Sequence, residues 1–172
     1  MAEYIRMLRK PWIGRIAFLA FAAVPLSAYA SPPQPLCNVL RAFVESLQPE
    51  ESRALSFHTI WGAGFTDTPD GAESAAYAKR CDHGGYAPAA QVCGYLMEHG
   101  YAEFSDDNAK DVITCLSPQT RFARGVSMTG GDFSFDYGKE PRANVEVSFQ
   151  TDTQLGGKVL RISVERYADV RD

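Results

Sequence analysis

The sequence predicts a single α+β domain, N-terminal helices packed on one face of a C-terminal antiparallel β-meander, with two disulfides. Three observations lead there. Apolar residues recur at three- and four-residue steps in the first half and alternate strictly beyond residue 121. Four cysteines, Cys37, Cys81, Cys93 and Cys115, all follow the N-terminal leader. The leader itself has the composition of an export signal, which places those cysteines in an oxidising compartment.

The leader is basic first and apolar second. Arg6, Arg9, Lys10 and Arg15 precede the run Ile16-Ala-Phe-Leu-Ala-Phe-Ala-Ala-Val-Pro-Leu26, and Ser27-Ala28-Tyr29-Ala30 closes it with small residues. This is the order of a bacterial Sec signal peptide, and cleavage is expected after Ala30. The apolar run is too short to span a bilayer, which takes about 20 residues. Leu36 before Cys37 argues against a lipid anchor, and Arg9-Lys10 is not the pair that twin-arginine export needs. The expected organisation is therefore a cleaved signal peptide at 1–30 and one α+β domain at 31–172. The destination is periplasmic or secreted, with no stable membrane anchor after cleavage.

The whole chain of 172 residues carries a net charge of −4, and losing the leader makes it more acidic. A spread negative charge excludes nucleic acid and anionic lipid as non-specific partners, since both need clustered Lys and Arg. A domain of this size buries roughly two-thirds of its unfolded surface, enough for one core. An even cysteine count in an exported chain reads as two disulfides. Three pairings are open. The preferred one is Cys37–Cys93 with Cys81–Cys115, because Cys93 and Cys115 fall on neighbouring helices out of level with each other.

Ser31-Pro-Pro-Gln-Pro35 reads as an extended leader. Leu36, Val39, Leu40, Phe43, Val44 and Leu47 then predict a helix over 36–48, with Arg41, Glu45 and Gln48 on its wet side. Residues 54–61 predict a strand with Leu55, Phe57, Thr59 and Trp61 on one face and Ser56 and His58 on the other. Gly62 to Gly71 is a loop by composition. The alanine-rich stretch 72–80 predicts a short helix. Pro88 opens another that Gly100 stops after His99. Asp106 or Asp107 caps a further helix with Ala109, Val112, Ile113 and Leu116 inward, ended by Ser117-Pro118.

Beyond residue 121 the pattern alternates. Phe133, Phe135 and Tyr137, then Val145, Val147 and Phe149, then Leu160, Ile162 and Val164 form three apolar stripes, with a weaker strand near 121–128. Thr129-Gly-Gly-Asp132, Gly138-Lys-Glu-Pro-Arg142 and Asp152-Thr-Gln-Leu-Gly-Gly157 carry the residues that reversals need. One face of this meander is apolar and must be covered, most simply by the helices.

No complete catalytic motif stands in the chain. His58, His83 and His99 sit on different elements and lack the paired spacing of a zinc site, so no metal or other cofactor is expected. Cys81 with His83, or Cys93 with His99, has the residue types of a thiolate site, but the even cysteine count leaves no free thiol. No G-x-S-x-G elbow occurs. Glu98, Glu103, Asp106, Asp107 and Asp111 cluster at a helix junction. Glycoside chemistry needs such carboxylates across a cleft, whereas here they suit a helix N-terminus or an acidic face for a basic partner. Two glycine-aromatic loops, Trp61-Gly-Ala-Gly-Phe65 and His83-Gly-Gly-Tyr86, offer large contact area at modest entropic cost. The candidate binding residues are therefore Trp61, Phe65, His83, Tyr86, Glu103, Asp106 and Asp107.

Cys93-Gly94-Tyr95-Leu96 followed by Cys115-Leu116-Ser117-Pro118 loosely resembles small exported immunity proteins of the Tai/Rap type. The resemblance implies a protein that binds and blocks toxins delivered by type VI secretion, and a helical continuation where this chain alternates. The expectation is an exported, disulfide-stabilised, non-catalytic binding protein of the bacterial envelope, with inhibition or immunity as its concrete form. Its partner would be another envelope or exported protein. The alternatives are a small periplasmic hydrolase using a histidine and a carboxylate, or a small-ligand binder with Phe57, Phe133, Phe135 and Tyr137 lining a pocket.

Overall fold

The computed structural model describes residues 34–68, 76–139 and 142–168. Three helices, α1 (Gln34–Glu45), α2 (Ala87–His99) and α3 (Ser105–Leu116), lie with five strands. The strands are β1 (Ser52–Trp61), β2 (Tyr77–Asp82), β3 (Gly131–Tyr137), β4 (Ala143–Thr151) and β5 (Lys158–Arg166). They form one antiparallel sheet in the order β2-β1-β5-β4-β3. The fold is a single α+β domain. The expected leader at 1–30 lies outside the described residues.

Alternation decides which face of each strand is covered. Leu55 and Phe57 of β1, Val145, Val147 and Phe149 of β4, and Leu160, Ile162 and Val164 of β5 are buried under the helices. Leu36, Leu40, Phe43 and Val44 of α1, Val92 and Leu96 of α2, and Val112, Ile113 and Leu116 of α3 meet them. α1 packs on both other helices, α2 covers β1 and β2, and α3 covers β4 and β5. Phe133, Phe135 and Tyr137 pack against this core, so the predicted pocket stripe is part of its wall. The opposite face of the sheet carries Ser56, His58, Arg161, Ser163, Glu146 and Ser148 and is open to water, as antiparallel sheets allow.

Three expectations about the elements are corrected. The alanine-rich stretch is not a helix in its described part. Tyr77–Asp82 is instead edge strand β2, paired antiparallel with β1 through Phe57↔Cys81, His58↔Arg80 and Trp61↔Tyr77. The helix preference of Ala, Lys and Arg is worth only tenths of a kcal/mol per residue, and a ladder to β1 outweighs it. The weak strand near 121–128 is turn and irregular chain. β1 joins the C-terminal strands in the same sheet, lying between β2 and β5. α1 takes in Gln34 and Pro35 of the expected extended leader, because proline is favoured in a first helical turn.

The disulfides are Cys37–Cys115 and Cys81–Cys93, not the preferred pairing. Cys81 stands opposite Phe57 and so points to the helix side of the sheet, where α2 presents Cys93 at a Cα separation of 5.5 Å. Cys37 in the first turn of α1 meets Cys115 in the last turn of α3 at 4.9 Å. Once residue 81 belongs to a strand beneath α2, the earlier pairing is geometrically closed.

Candidate binding surface

The described residues with the greatest claim to function gather at the end of the sheet beyond α2. Trp61 and Tyr77 are cross-strand partners on the helix side, and their rings lie parallel with centroids 6.4 Å apart. Both are 53% exposed, because α2 ends at His99 and does not reach them. Lys79 joins this pair to the helix. Its Nζ donates to the Met97 carbonyl and lies over the Tyr77 ring. Met97 and Tyr101 are exposed there as well.

Gly100 makes the sharp exit from α2 possible. Its N–H closes the helix on the Leu96 carbonyl, and a Cβ at that position would press into the Phe57 ring. The chain then turns on Asn108, which is almost fully buried. Its Oδ1 accepts from the Tyr101 N–H, and its Nδ2 donates to the Tyr101 and Ser105 carbonyls. The Tyr101 backbone is thus fastened, while its ring stands in water.

The other predicted site residues separate into distinct roles. Phe65 is buried, with Arg80 stacked over its ring and bound by two hydrogen bonds to Asp67. Tyr86 packs edge-on against Phe43, shares a hydrogen bond with Ser46 and lies beneath Arg53. His83 is half-buried, with a buried Nδ1 that has no hydrogen-bond partner. Glu103 is exposed. Asp106 and Asp107 lie in the first turn of α3, whose N-cap is Phe104. Asp106 accepts from the Met128 N–H and pairs with Lys110 at 2.7 Å, and Asp107 pairs with the same lysine at 2.9 Å. Burial works against the Asp106 charge, yet Lys110 and the Met128 N–H hold its carboxyl below the ordinary value.

Asp111, one turn further along α3, is treated differently. It is half-buried without an ion pair among the described residues, and burial plus the neighbouring Asp107 pushes its carboxyl up to about 6 against the pull of Lys110. Burial, Asp111 and Tyr101 also raise the Tyr95 hydroxyl. The Tyr95 ring in turn contacts His99 at 4.6 Å.

One pair escaped the sequence reading. His58 Nδ1 and Asp152 Oδ2 are 2.6 Å apart on the open face of the sheet. Asp152 Oδ1 also accepts from the Gln154 and Leu155 N–H groups, so the carboxylate shapes the turn between β4 and β5. The signal that could have found it is the Asp two and three residues before those amides, a turn-forming habit of aspartate.

No group of three or more potential metal ligands converges among the described residues, and those residues contain no free cysteine. A shallow cleft of about 400 Å³ opens elsewhere, lined by Glu45, Leu116, Ser117, Asp136 and Tyr137 among others. No described helix is long and apolar enough to cross a membrane. Compared with protein-family models, curated proteins and solved structures, the chain matches none.

Proposed function

We propose that this is an exported, non-catalytic binding protein of the bacterial envelope, acting as an inhibitor or immunity-type protein on another exported protein. The observation that carries the reading is the exposed Trp61–Tyr77 pair, fixed on a disulfide-braced edge of the sheet. Large aromatic rings left in water on rigid backbone are typical anchors of protein interfaces. The signal-type leader and the two disulfides support the exported address. The test is cross-linking capture from envelope extracts with the wild-type chain and with Trp61→Ser/Tyr77→Ser. A partner retained by the wild type and lost by the variant supports the reading; no retained protein, or equal retention by both, rejects it.

A second reading rests on His58–Asp152. A carboxylate holding a histidine through Nδ1 is the arrangement of a general base. Ser56 is the nearest hydroxyl along the same face of β1, but no hydrogen bond joins it to His58 among the described residues, and the His58 ring bonds Asp152 instead. Asp152 is also already engaged in its turn. The pair is better explained as a fastener, and loss of turnover in His58→Ala with the fold intact would reverse that preference.

A further inference from the structure

The binding reading leaves the chemistry of the partner open, and the junction of α2 and α3 supplies it. Met97, Tyr101 and Phe104 are 42%, 48% and 59% exposed within eight consecutive residues. None of the three is spent on the core. An apolar patch rimmed by polar groups marks an interaction site. Here the frame beneath is rigid, since Gly100 abuts Phe57 and Asn108 ties the Tyr101 backbone from both sides. Docking there would cost little ordering of the main chain.

Charge says what would dock. The rim contributes Glu98, Glu103 and Asp111, and among the described residues neither Glu103 nor Asp111 has an ion-pair partner. Glu98 has only the His99 ring at 3.6 Å. The cations nearby are committed. Lys110 is shared by Asp106 and Asp107, and Lys79 is bonded to the Met97 carbonyl. The surplus around the patch is therefore negative, so an anionic lipid surface is repelled and a cation is welcomed.

We infer that this junction docks a cationic amphipathic segment of a partner protein, its apolar side chains on Met97, Tyr101 and Phe104 and its Lys or Arg side chains against Glu98, Glu103 and Asp111. The inference rests on the binding reading and specifies its partner. It predicts a salt-sensitive encounter, because the rim charges act at long range while the apolar centre sets how long the complex lasts.

The test uses the full disulfide-bonded chain and three synthetic helical peptides: one with a leucine face and a lysine face, one with glutamate replacing lysine, and one with serine replacing leucine. Binding is measured at low and high salt, with backbone amide shifts locating the contact. The leucine-lysine peptide should bind and perturb residues 97–111, and the other two should not. Tyr101→Ser/Phe104→Ser should weaken it about tenfold or more, as loss of central anchors does. Glu98→Lys/Glu103→Lys should do so at low salt and less at high salt. Glu146→Lys/Glu165→Lys makes the same change in net charge on the open sheet face and should leave binding within about twofold. Equal losses in both charge variants, shifts elsewhere, or binding to phosphatidylglycerol vesicles would overturn the inference. Envelope capture that depends on Trp61 and Tyr77 would still stand in that event, so the two claims fail separately.

Discussion

His58 Nδ1 meets Asp152 Oδ2 at 2.6 Å across a sequence separation of 94 residues, joining an interior strand to the turn that feeds its neighbour. The carboxylate is only 7% exposed, and burial opposes its charge. The Leu155 N–H, His58 and the Gln154 N–H nevertheless hold it below the usual aspartate value. Asp152 therefore contributes stability that is present above its unfolded pKa of about 3.9 and is lost as pH falls through the lower folded value. Asp152→Asn should cost about 1–2 kcal/mol at neutral pH, the scale of a lost charge-assisted hydrogen bond. Urea melts from pH 7 down to pH 2 should show the gap to wild type closing in acid; a gap constant with pH would refute the assignment.

Asp111 works in the opposite sense. Its carboxyl is raised to about 6, chiefly by burial, so the folded chain holds this proton more tightly than the unfolded chain. Stability should fall as pH rises from about 4 towards that value. Asp111→Asn should therefore stabilise the protein near pH 8 by an amount on the order of 1 kcal/mol, discounted for its partial exposure, and should have little effect at pH 3. Carboxyl titration by NMR, beside chemical denaturation at both pH values, reads this directly. A destabilised variant at pH 8 would show that the carboxylate has a stabilising partner.

The two disulfides differ in the chain they close. Cys37–Cys115 spans 78 residues and Cys81–Cys93 spans 12. On chain-entropy grounds the long loop should be worth about 1.5–2 kcal/mol more than the short one. Denaturation midpoints of Cys37→Ala/Cys115→Ala and Cys81→Ala/Cys93→Ala should rank accordingly. The reverse order would mean that Cys81–Cys93 acts on the folded edge strand rather than on the unfolded chain.

Gly157 and Gly62 both have positive φ, +73° and +77°, yet their surroundings differ. A Cβ on Gly157 would run into the Thr59 carbonyl oxygen and Ile60, whereas one on Gly62 meets open space. Gly62→Ala should cost about 1 kcal/mol, the strain of the left-handed region alone. Gly157→Ala should cost clearly more, by about 2 kcal/mol or above, because backbone must move. Thermal melts of the two variants side by side test the contrast.

Most helices and strands were legible because their apolar residues keep one period throughout. Leu36 to Val44 could only be a helix packed on one side, though it ends at Glu45 rather than at 48, and Val145, Val147 and Phe149 only a half-covered strand. Residues 77–82 were not legible, since Tyr-Ala-Lys-Arg-Cys-Asp has no strand period of its own and is a strand because β1 lies beside it. The disulfide pairing failed for the same reason, as it depends on that strand. At the surface, Trp61 and Glu103 are exposed, while Phe65 and Tyr86 are drawn into packing by Arg80 and Ser46. Asp106 is not free for a partner, because Lys110, one helical turn away, pairs with it. Met97, Tyr101 and Phe104 carried no sequence signal, because exposure is a property of what fails to cover them.

The placement of β1 between β2 and β5 has a consequence for how the chain comes together. The β1–β2 pair, all three helices and both disulfides are encoded before residue 117, whereas the β4 and β5 surface that α3 covers comes later in the chain. Until β5 has been made and has paired, however, β1 keeps one ladder of N–H and C=O groups unmatched. A partly folded chain whose Lys158–Arg166 segment has not yet docked thus carries an adhesive seam along β1, shielded only when that strand zips the sheet shut.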